Sequence, residues 1–535
     1  MKPVFLFISL CFMTFATSWY TGRPALAQGF LAQFAPKNAP LSAIDWLSNS
    51  VAPPQMLGYE TADIQLASPR QEIAVIAIQN EQPDSLGLLP TRVTGLPQNL
   101  WANGQVDTIA AQLKALTAPS LPAAQSFFIQ LLLAESHAPR GSSTKATLLI
   151  ERIDRLLEMG ALEQAEGLIN LVLIKSPALF RRSFDVALLT GHEDMACQSM
   201  RTTPILAPTY LARIFCLARD GDWAAAAITL RAAQSLGILN SEQDAILTRF
   251  LGSDLTEQDL PLSPPSRPSP LIWRLFEAVG EPLPTQDLPI AFAYGDLRIQ
   301  SGYTAQVEAA ERLAKAGVLA PNVLLGLYSD DTSAASGGVW GRVKAIQAFE
   351  KALVTKNVVQ ITNTLHLAWV QMQNAGLEVP FANIYARRLA VLALPEPQAD
   401  LAFHILLLSE GAQQIAQLRQ PQSAFDALLI GLATGTITQE GGDLRQEAGR
   451  KSLTPQQEAV AKAFTKPLLP HDLQQFLDQN RYGEAILSAL ALINRGASGD
   501  NAALCTGLSL LDRVGQGDIS RQIALQVLLL KRPTL

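Results

Sequence analysis

The chain has 535 residues, of which 48% are apolar and 16% are charged, and its formal net charge is -6. This composition can bury a large core and excludes a predominantly disordered chain. The length predicts several domains or one extended array of repeats, and the acidic balance gives no electrostatic reason to expect a nucleic-acid partner.

Residues 1–27 have the pattern of a secretory signal peptide. An apolar run over residues 4–15 precedes Ala25 and Ala27, which form a small-residue cleavage site. We therefore expect the mature chain to be exported to the periplasm or, alternatively, outside the cell. Since no later apolar run approaches the ~18–20 residues of a membrane-spanning helix, we expect no transmembrane segment after cleavage.

A proline-rich arm follows, over residues 28–99. Its segment QEIAVIAIQ (71–79) is rich in β-branched residues, which predicts a strand. Because a lone strand needs a partner, TRVTGL (91–96) is a candidate second strand. A small internal hairpin and pairing with another protein both remain open for this arm.

Helical periodicity runs from about residue 100 to the C-terminus. Residues 145–158 place Leu149, Ile153, Leu156 and Leu157 on one helical face. The spacing of Thr454 and Gln457 predicts a capping box at the start of a later helix. The predicted segments are a helical block 100–252, a proline-rich linker 253–270, a second helical block 271–434, a glycine-rich mobile loop 435–453 and a C-terminal helical block 454–535.

Three cysteines remain after signal cleavage. Cys197 and Cys216 lie in consecutive predicted helices joined by a proline-bearing turn. Because exported proteins meet an oxidising compartment, we expect a disulfide between them. The alternative is a pair of buried thiols on facing apolar stripes. Cys505 is expected to be a buried, unpaired side chain.

A helical hairpin is predicted between residues 211 and 237. Its glycine, aromatic and small residues have the spacing of the second half of a tetratricopeptide unit, and they are Gly221, Trp223, Ala226, Leu230 and Ala233. We interpret Trp223 as a packing residue at a helix–helix seam. Since no steady period of about 34 residues links such units, the predicted fold is an all-α solenoid of degenerate antiparallel hairpins with a small extended or β N-terminal arm.

Four stretches carry a closer resemblance, and they are PLSAIDWLS (40–48), LFRRSFDVALLTGHED (179–194), ARIFCLARDGDW (212–223) and SGGVWGRV (336–343). They resemble a family of exported, helix-rich, degenerate tetratricopeptide-like proteins of Gram-negative bacteria. That family is uncharacterised. The resemblance therefore implies the fold and export, and it supplies no activity and no catalytic residue.

The sequence contains few motifs that would indicate catalysis, and those it contains are incomplete. The segment GHED (191–194) is interpreted as a turn and a helix start rather than a metal site. Glu135 and Ser136 match the first two residues of the lytic-transglycosylase motif, but the glycine-containing continuation is missing. We predict no catalytic, cofactor-binding or metal-binding residue, and whether the protein is an enzyme remains open, with a non-enzymatic role favoured.

The segment GLYSDDTSAASGGVWGRVK (326–344) is the candidate for a partner contact. Aromatic and arginine side chains are the types that dominate interface energies, and here they flank an acidic, serine- and glycine-rich loop. The candidate contact residues are Tyr328, Asp330, Asp331, Trp340 and Arg342. The alternative is an ordinary solvated connection beside a buried aromatic.

These patterns lead to two hypotheses of function. The first is a non-enzymatic cell-envelope protein whose helical solenoid binds another envelope protein or a peptide, as a scaffold or adaptor. The second is an enzyme or a small-ligand-binding protein with an unrecognised site, for example one related to peptidoglycan.

Overall fold

The computed structural model describes seven stretches of the chain. They are residues 82–172, 176–252, 261–298, 300–330, 337–437, 453–465 and 469–530. The predicted signal peptide, the predicted strand 71–79, Asp331 and most of the predicted loop 435–453 lie outside them.

The described residues form 25 α-helices and no strand. Two isolated bridges, Leu89 with Ala134 and Gln105 with Arg140, are the β-type pairings in this part of the chain. The predicted all-α class is therefore confirmed. The stacked solenoid arrangement stays a prediction.

The helices of the N-terminal part are α1 Thr91–Thr94, α2 Val106–Ala115, α3 Pro122–Leu133, α4 Thr147–Glu158, α5 Leu162–Asn170, α6 Pro177–Thr190, α7 Glu193–Thr202, α8 Tyr210–Arg219, α9 Trp223–Ser235, α10 Ser241–Leu251 and α11 Pro270–Ala278. Those of the middle part are α12 Ala293–Asp296, α13 Tyr303–Lys315, α14 Pro321–Asp330, α15 Gly338–Thr355, α16 Val358–Ala375, α17 Glu378–Leu389, α18 Gln398–Leu407, α19 Ala412–Ala416 and α20 Ala424–Thr434. The C-terminal helices are α21 Pro455–Thr465, α22 His471–Asp478, α23 Tyr482–Ala497, α24 Asn501–Arg513 and α25 Gly517–Leu529. Short 3-10 turns cover Pro83–Ser85, Pro204–Leu206 and Ile290–Phe292.

The expected strand at 91–96 is wrong, because Thr91–Thr94 forms the helical turn α1. Pro90 precedes this turn, and proline is well placed before or at the first position of a helix. Gly95 ends it with a φ of +66°, a left-handed conformation that glycine adopts without a steric penalty. The β-branched residues of this segment therefore yield to the proline and glycine that flank them.

Two other local sequence patterns, an apolar stripe and a capping box, form the structures that they predict. The four residues of the predicted stripe on α4 (Leu149, Ile153, Leu156 and Leu157) are all buried. At the start of α21, the backbone N–H of Gln457 donates to Thr454 Oγ1 at 3.4 Å, and the backbone N–H of Thr454 donates to Gln457 Oε1 at 2.9 Å. This reciprocal pair is the predicted capping box.

Buried apolar side chains form three larger cores. The first core joins helices α2–α6 near the start of the described chain to α20–α25 at its end. The second core lies among α13–α18. The third core lies among α6–α11. Residues on both sides of the predicted linker, such as Ile246 and Leu271, share the third core, while the predicted domain limits themselves stay a prediction.

Polar contacts fasten the two ends of the described chain to each other. The Ala123 N–H donates to Gln526 Oε1 at 2.8 Å, across 403 residues of sequence. The Gly483 N–H donates to the Leu100 carbonyl at 2.9 Å. A strictly linear stack of repeats has contacts between neighbours alone, so these contacts between the two ends are ones that such a stack lacks.

A buried arginine fixes the first described residues on the first core. The guanidinium of Arg152 donates to the carbonyl oxygens of Leu132 at 2.6 Å, Leu86 at 2.7 Å and Ala134 at 3.0 Å. Burial lowers the pKa of Arg152 to about 10, and the nearby Asp84 carboxylate opposes this shift. The group thus remains a cation at neutral pH and satisfies three carbonyl oxygens at once.

The expected disulfide is present between Cys197 of α7 and Cys216 of α8, with their Cα atoms 5.1 Å apart. Both residues are buried in the third core. Closing a loop of this length stabilises a fold by about 3 kcal/mol. Cys505 is unpaired, as expected, but it is only partly buried, and this partial burial raises the pKa of its thiol.

Helices long and apolar enough to span a membrane do not occur in the described ranges.

The contact of Gly483 with Trp101 supplies a test of the joined ends. A Cβ atom at Gly483 would lie 2.2 Å from Trp101 Cε3 and 2.9 Å from the Leu100 carbonyl oxygen. We expect Gly483→Ala to lower the free energy of unfolding by about 1–3 kcal/mol through overpacking, measured by urea denaturation. The control is Gly326→Ala in α14, where a Cβ would meet nothing within 4 Å. The control should be neutral or stabilising by up to about 1 kcal/mol, and equal effects at both positions would contradict the packing.

Candidate functional site

The structure places the predicted contact residues Tyr328 and Arg342 inward, on a shared carboxylate. The Tyr328 hydroxyl donates to Glu311 Oε1 at 2.7 Å, and Arg342 Nε donates to the same oxygen at 2.6 Å. Tyr328 is only 1% exposed. The three residues therefore tie α13, α14 and α15 together, and Tyr328 offers no surface to a partner.

Electrostatics agree with a structural role for this cluster. Burial raises the pKa of the Tyr328 hydroxyl, and the adjacent Glu311 carboxylate raises it further. Burial has the largest single effect on the pKa of Arg342 and lowers it, but the hydrogen bond and the charge of Glu311, together with Tyr328, raise the pKa overall. The tyrosine thus stays neutral and the arginine stays charged over the physiological range.

The other predicted contact residues are less constrained. Trp340 is partly buried, and its ring lies 5.3 Å from that of Tyr303, with 30° between the ring planes. Asp330 is exposed at the end of α14, and Asp331 lies outside the described residues. A partner contact at Trp340 and Asp330 therefore stays a prediction, without the tyrosine anchor that it included.

A second region, at the edge of the third core, contains a groove. The first residues of α8, α10 and α11 line one groove with a volume of about 420 Å³. Each helix start carries a side-chain cap. Thr209 Oγ1 accepts from the Ala212 N–H at 3.1 Å, Asn240 Oδ1 accepts from the Gln243 N–H at 2.8 Å, and Ser269 Oγ accepts from the Ile272 N–H at 3.2 Å.

The proline-rich residues 261–269 form one wall of this groove. The Leu262 N–H donates to Glu281 Oε2 at 2.9 Å, and Arg249 of α10 donates to Glu281 Oε1 at 2.9 Å. One carboxylate thus holds the wall against both α10 and the end of α11. Because proline fixes its own φ, little conformational entropy remains to be lost when this wall meets a ligand.

The lining of the groove combines apolar side chains with a polar rim. Apolar lining comes from Leu211, Ala245, Ile246, Leu262, Leu271, Ile272 and Phe276, and charged groups come from Glu242 and Arg267. Ligand sites in proteins are usually clefts of this volume, apolar with a few polar groups. The volume of the groove lies within the range of such clefts, and polar as well as apolar side chains line it.

Trp223 meets its expected role at a helix seam in part. It begins α9, capped by Asp222, and its ring lies 6.3 Å from that of Phe250. However, 53% of its surface is exposed. Ala226, Leu230 and Ala233 take the inward positions that the tetratricopeptide-like spacing predicts, and the tryptophan joins the seam only through its contact with Phe250 of α10.

The groove was not predicted from the sequence, although the helix-capping residues that surround it could be recognised there. Thr209, Asn240 and Ser269 are all residue types that favour helix N-caps, and each precedes an apolar helical stretch. Those signals locate helix starts along the chain. Their convergence on one groove depends on how α8, α10 and α11 pack, which no local pattern encodes.

The described residues contain no group of three or more His, Cys, Asp or Glu side chains arranged to hold a metal ion. Compared with known proteins, the chain matches no family model, no curated protein and no solved structure.

Removing the hydroxyl group of Tyr328 tests the buried cluster around Glu311. Tyr328→Phe removes a hydrogen bond to a carboxylate, so we expect the free energy of unfolding to fall by about 1.5–3 kcal/mol. The matched control is Tyr482→Phe, whose hydroxyl makes an exposed bond of 2.7 Å to Asn480. Thermal denaturation should separate the two variants clearly, and an unchanged melting temperature for Tyr328→Phe would place its hydroxyl outside the network.

Proposed function

We propose that the protein is a non-enzymatic binding protein that takes an extended segment of another polypeptide into the groove between α8, α10 and α11. The observation that supports this most directly is the groove itself, with its apolar floor, its proline-rich wall and a volume of about 420 Å³. An extended peptide offers side chains to the apolar floor and amide groups to the polar rim.

The charges on the rim favour a peptide over a strongly ionic ligand. Glu242 and Arg267 have opposite signs and both line the groove, so neither an anion nor a cation would meet a uniform field. A neutral polypeptide backbone with apolar side chains is the ligand that this mixed lining suits.

The proposed partner is a protein or peptide of the cell envelope, met in the periplasm after export. The signal-like N-terminus supports export. The disulfide between Cys197 and Cys216 is the kind of bond that forms and persists in an oxidising compartment, so it agrees with that location.

A groove-blocking variant tests the proposal. Ala245 is exposed on α10 and lines the groove, so Ala245→Trp should fill the space that a ligand needs. Peptides selected from a phage-displayed random library on the purified chain should bind it with a micromolar Kd. Ala245→Trp should weaken that binding by roughly tenfold or more, equal to about 1.4 kcal/mol, as measured by isothermal titration calorimetry.

The matched control is Ala111→Trp, which places the same side chain at an exposed position of α2, a helix of the first core. It should bind the selected peptides like the unmodified chain. If no peptide is enriched, or if both variants bind equally well, the groove is not a polypeptide-binding site.

A further inference from the structure

Asn103 and Gly104 form the one Asn-Gly pair in the sequence, and they lie in the turn between α1 and α2. Asparagine is chemically labile, and it is most so before glycine, because glycine has no Cβ to hinder attack by its own backbone nitrogen. The side chain of Asn103 is partly exposed. This turn therefore contains an amide group that can be hydrolysed without an enzyme.

The reaction consumes one water molecule and needs neither an oxidant nor a reductant. A bond forms between the Gly104 backbone nitrogen and Asn103 Cγ, the bond between Cγ and Nδ2 breaks, and the Gly104 N–H proton leaves with ammonia. Water then opens the cyclic imide and yields aspartate or isoaspartate. The net change is the replacement of a neutral amide by a carboxylate.

The native contacts of this pair oppose the reaction. The Gly104 N–H donates to the Trp101 carbonyl at 3.1 Å, so the attacking nitrogen is held in a hydrogen bond. The Asn103 side-chain amide donates to the Asn480 carbonyl at 3.2 Å, across 377 residues of sequence. Gly104 is buried, and a Cβ there would lie 2.7 Å from Ile109 Cδ1. Little room is left for the backbone rotation that the attack requires.

These protective contacts belong to the junction between the two ends of the described chain. Trp101 accepts the Gly104 N–H and also packs against Gly483. Asn480, which holds the Asn103 amide, lies in the turn that leads into α23 and Gly483. Separation of the two ends therefore releases the Asn103 amide from its partner and loosens the turn that holds the Gly104 nitrogen.

We propose that Asn103 is a deamidation site that becomes reactive when the junction between the two ends opens, and that the carboxylate formed there weakens the junction. The new carboxylate faces the Asn480 carbonyl oxygen, to which it cannot donate. It also lies beside a buried acid, since a Cβ at Gly104 would lie 2.7 Å from Glu484 Oε2. Deamidation thus turns a transient opening into a lasting change.

The cation beside Glu484 is already engaged. Arg481 Nε donates to Glu484 Oε2 at 2.6 Å, and its Nη2 donates to the other oxygen of the same carboxylate. Its Nη1 donates to Gln479 Oε1 at 3.3 Å. A carboxylate at position 103 must therefore compete with these bonds for the guanidinium, and a net negative charge is added to the junction.

Peptide mapping by mass spectrometry follows the conversion of Asn103 in the purified chain at neutral pH. We expect conversion to be roughly tenfold or more slower in the native chain than in the same chain unfolded in urea, because reaction requires opening. Urea below the unfolding transition should already raise the native rate. Gly483→Ala should raise it by roughly tenfold, equal to about 1.4 kcal/mol, while the matched control Gly326→Ala should leave it unchanged.

The effect of the product is measured with Asn103→Asp, which introduces the charge directly. Its melting temperature should fall by roughly 2 °C. Gln98→Glu adds the same charge at an exposed position of the same turn and should leave the melting temperature unchanged.

Three results would overturn the proposal. Equal rates in the native and unfolded chain, or no conversion in urea, would remove the protected site. Equal rates in the unmodified chain, in low urea and in Gly483→Ala would show that the junction does not control the reaction. An Asn103→Asp variant as stable as the unmodified chain would show that the product does not weaken the junction. Peptide binding in the groove is measured separately and does not depend on these outcomes.

Discussion

The arrangement depends on one contact above all, the packing of Trp101 against the helix α23. Gly483 lets the indole ring lie directly on the helix backbone, where any side chain at that position would occupy the space of the ring. The Leu100 carbonyl accepts the Gly483 N–H beside it. Because these residues are separated by nearly 400 positions, the contact joins the helices at the two ends of the described chain in the first core.

The third core, by contrast, does not join the two ends of the described chain. Helices α6–α11 enclose their own apolar residues, and the disulfide between Cys197 and Cys216 adds a covalent link between α7 and α8. This region presents the groove on its surface.

Which of these features could be predicted from the sequence depends on how far apart in the chain the interacting residues lie. The stripe on α4, the capping box at Thr454 and the pairing of Cys197 with Cys216 depend on residues close in sequence or in adjacent helices, and they were predictable. The burial of Tyr328 on Glu311 was not, since Glu311 lies on another helix and an aromatic residue beside an acidic loop matches an exposed site equally well. The strand expected at 91–96 failed because a proline and a glycine at its ends outweighed its β-branched residues. The groove arises from the packing of several helices, which periodicity alone does not specify.

Native-state hydrogen exchange in increasing denaturant tests most directly whether the two ends of the described chain unfold together as one core. We expect the slowest amides of α3 and α25 to share one opening free energy, because the hydrogen bond between Ala123 and Gln526 joins these helices in the first core. The slowest amides of α8, in the third core, should follow their own opening reaction. Opening of α25 at a clearly lower free energy than α3 would contradict a joined first core, since the two ends of the described chain would then be separate units that merely touch.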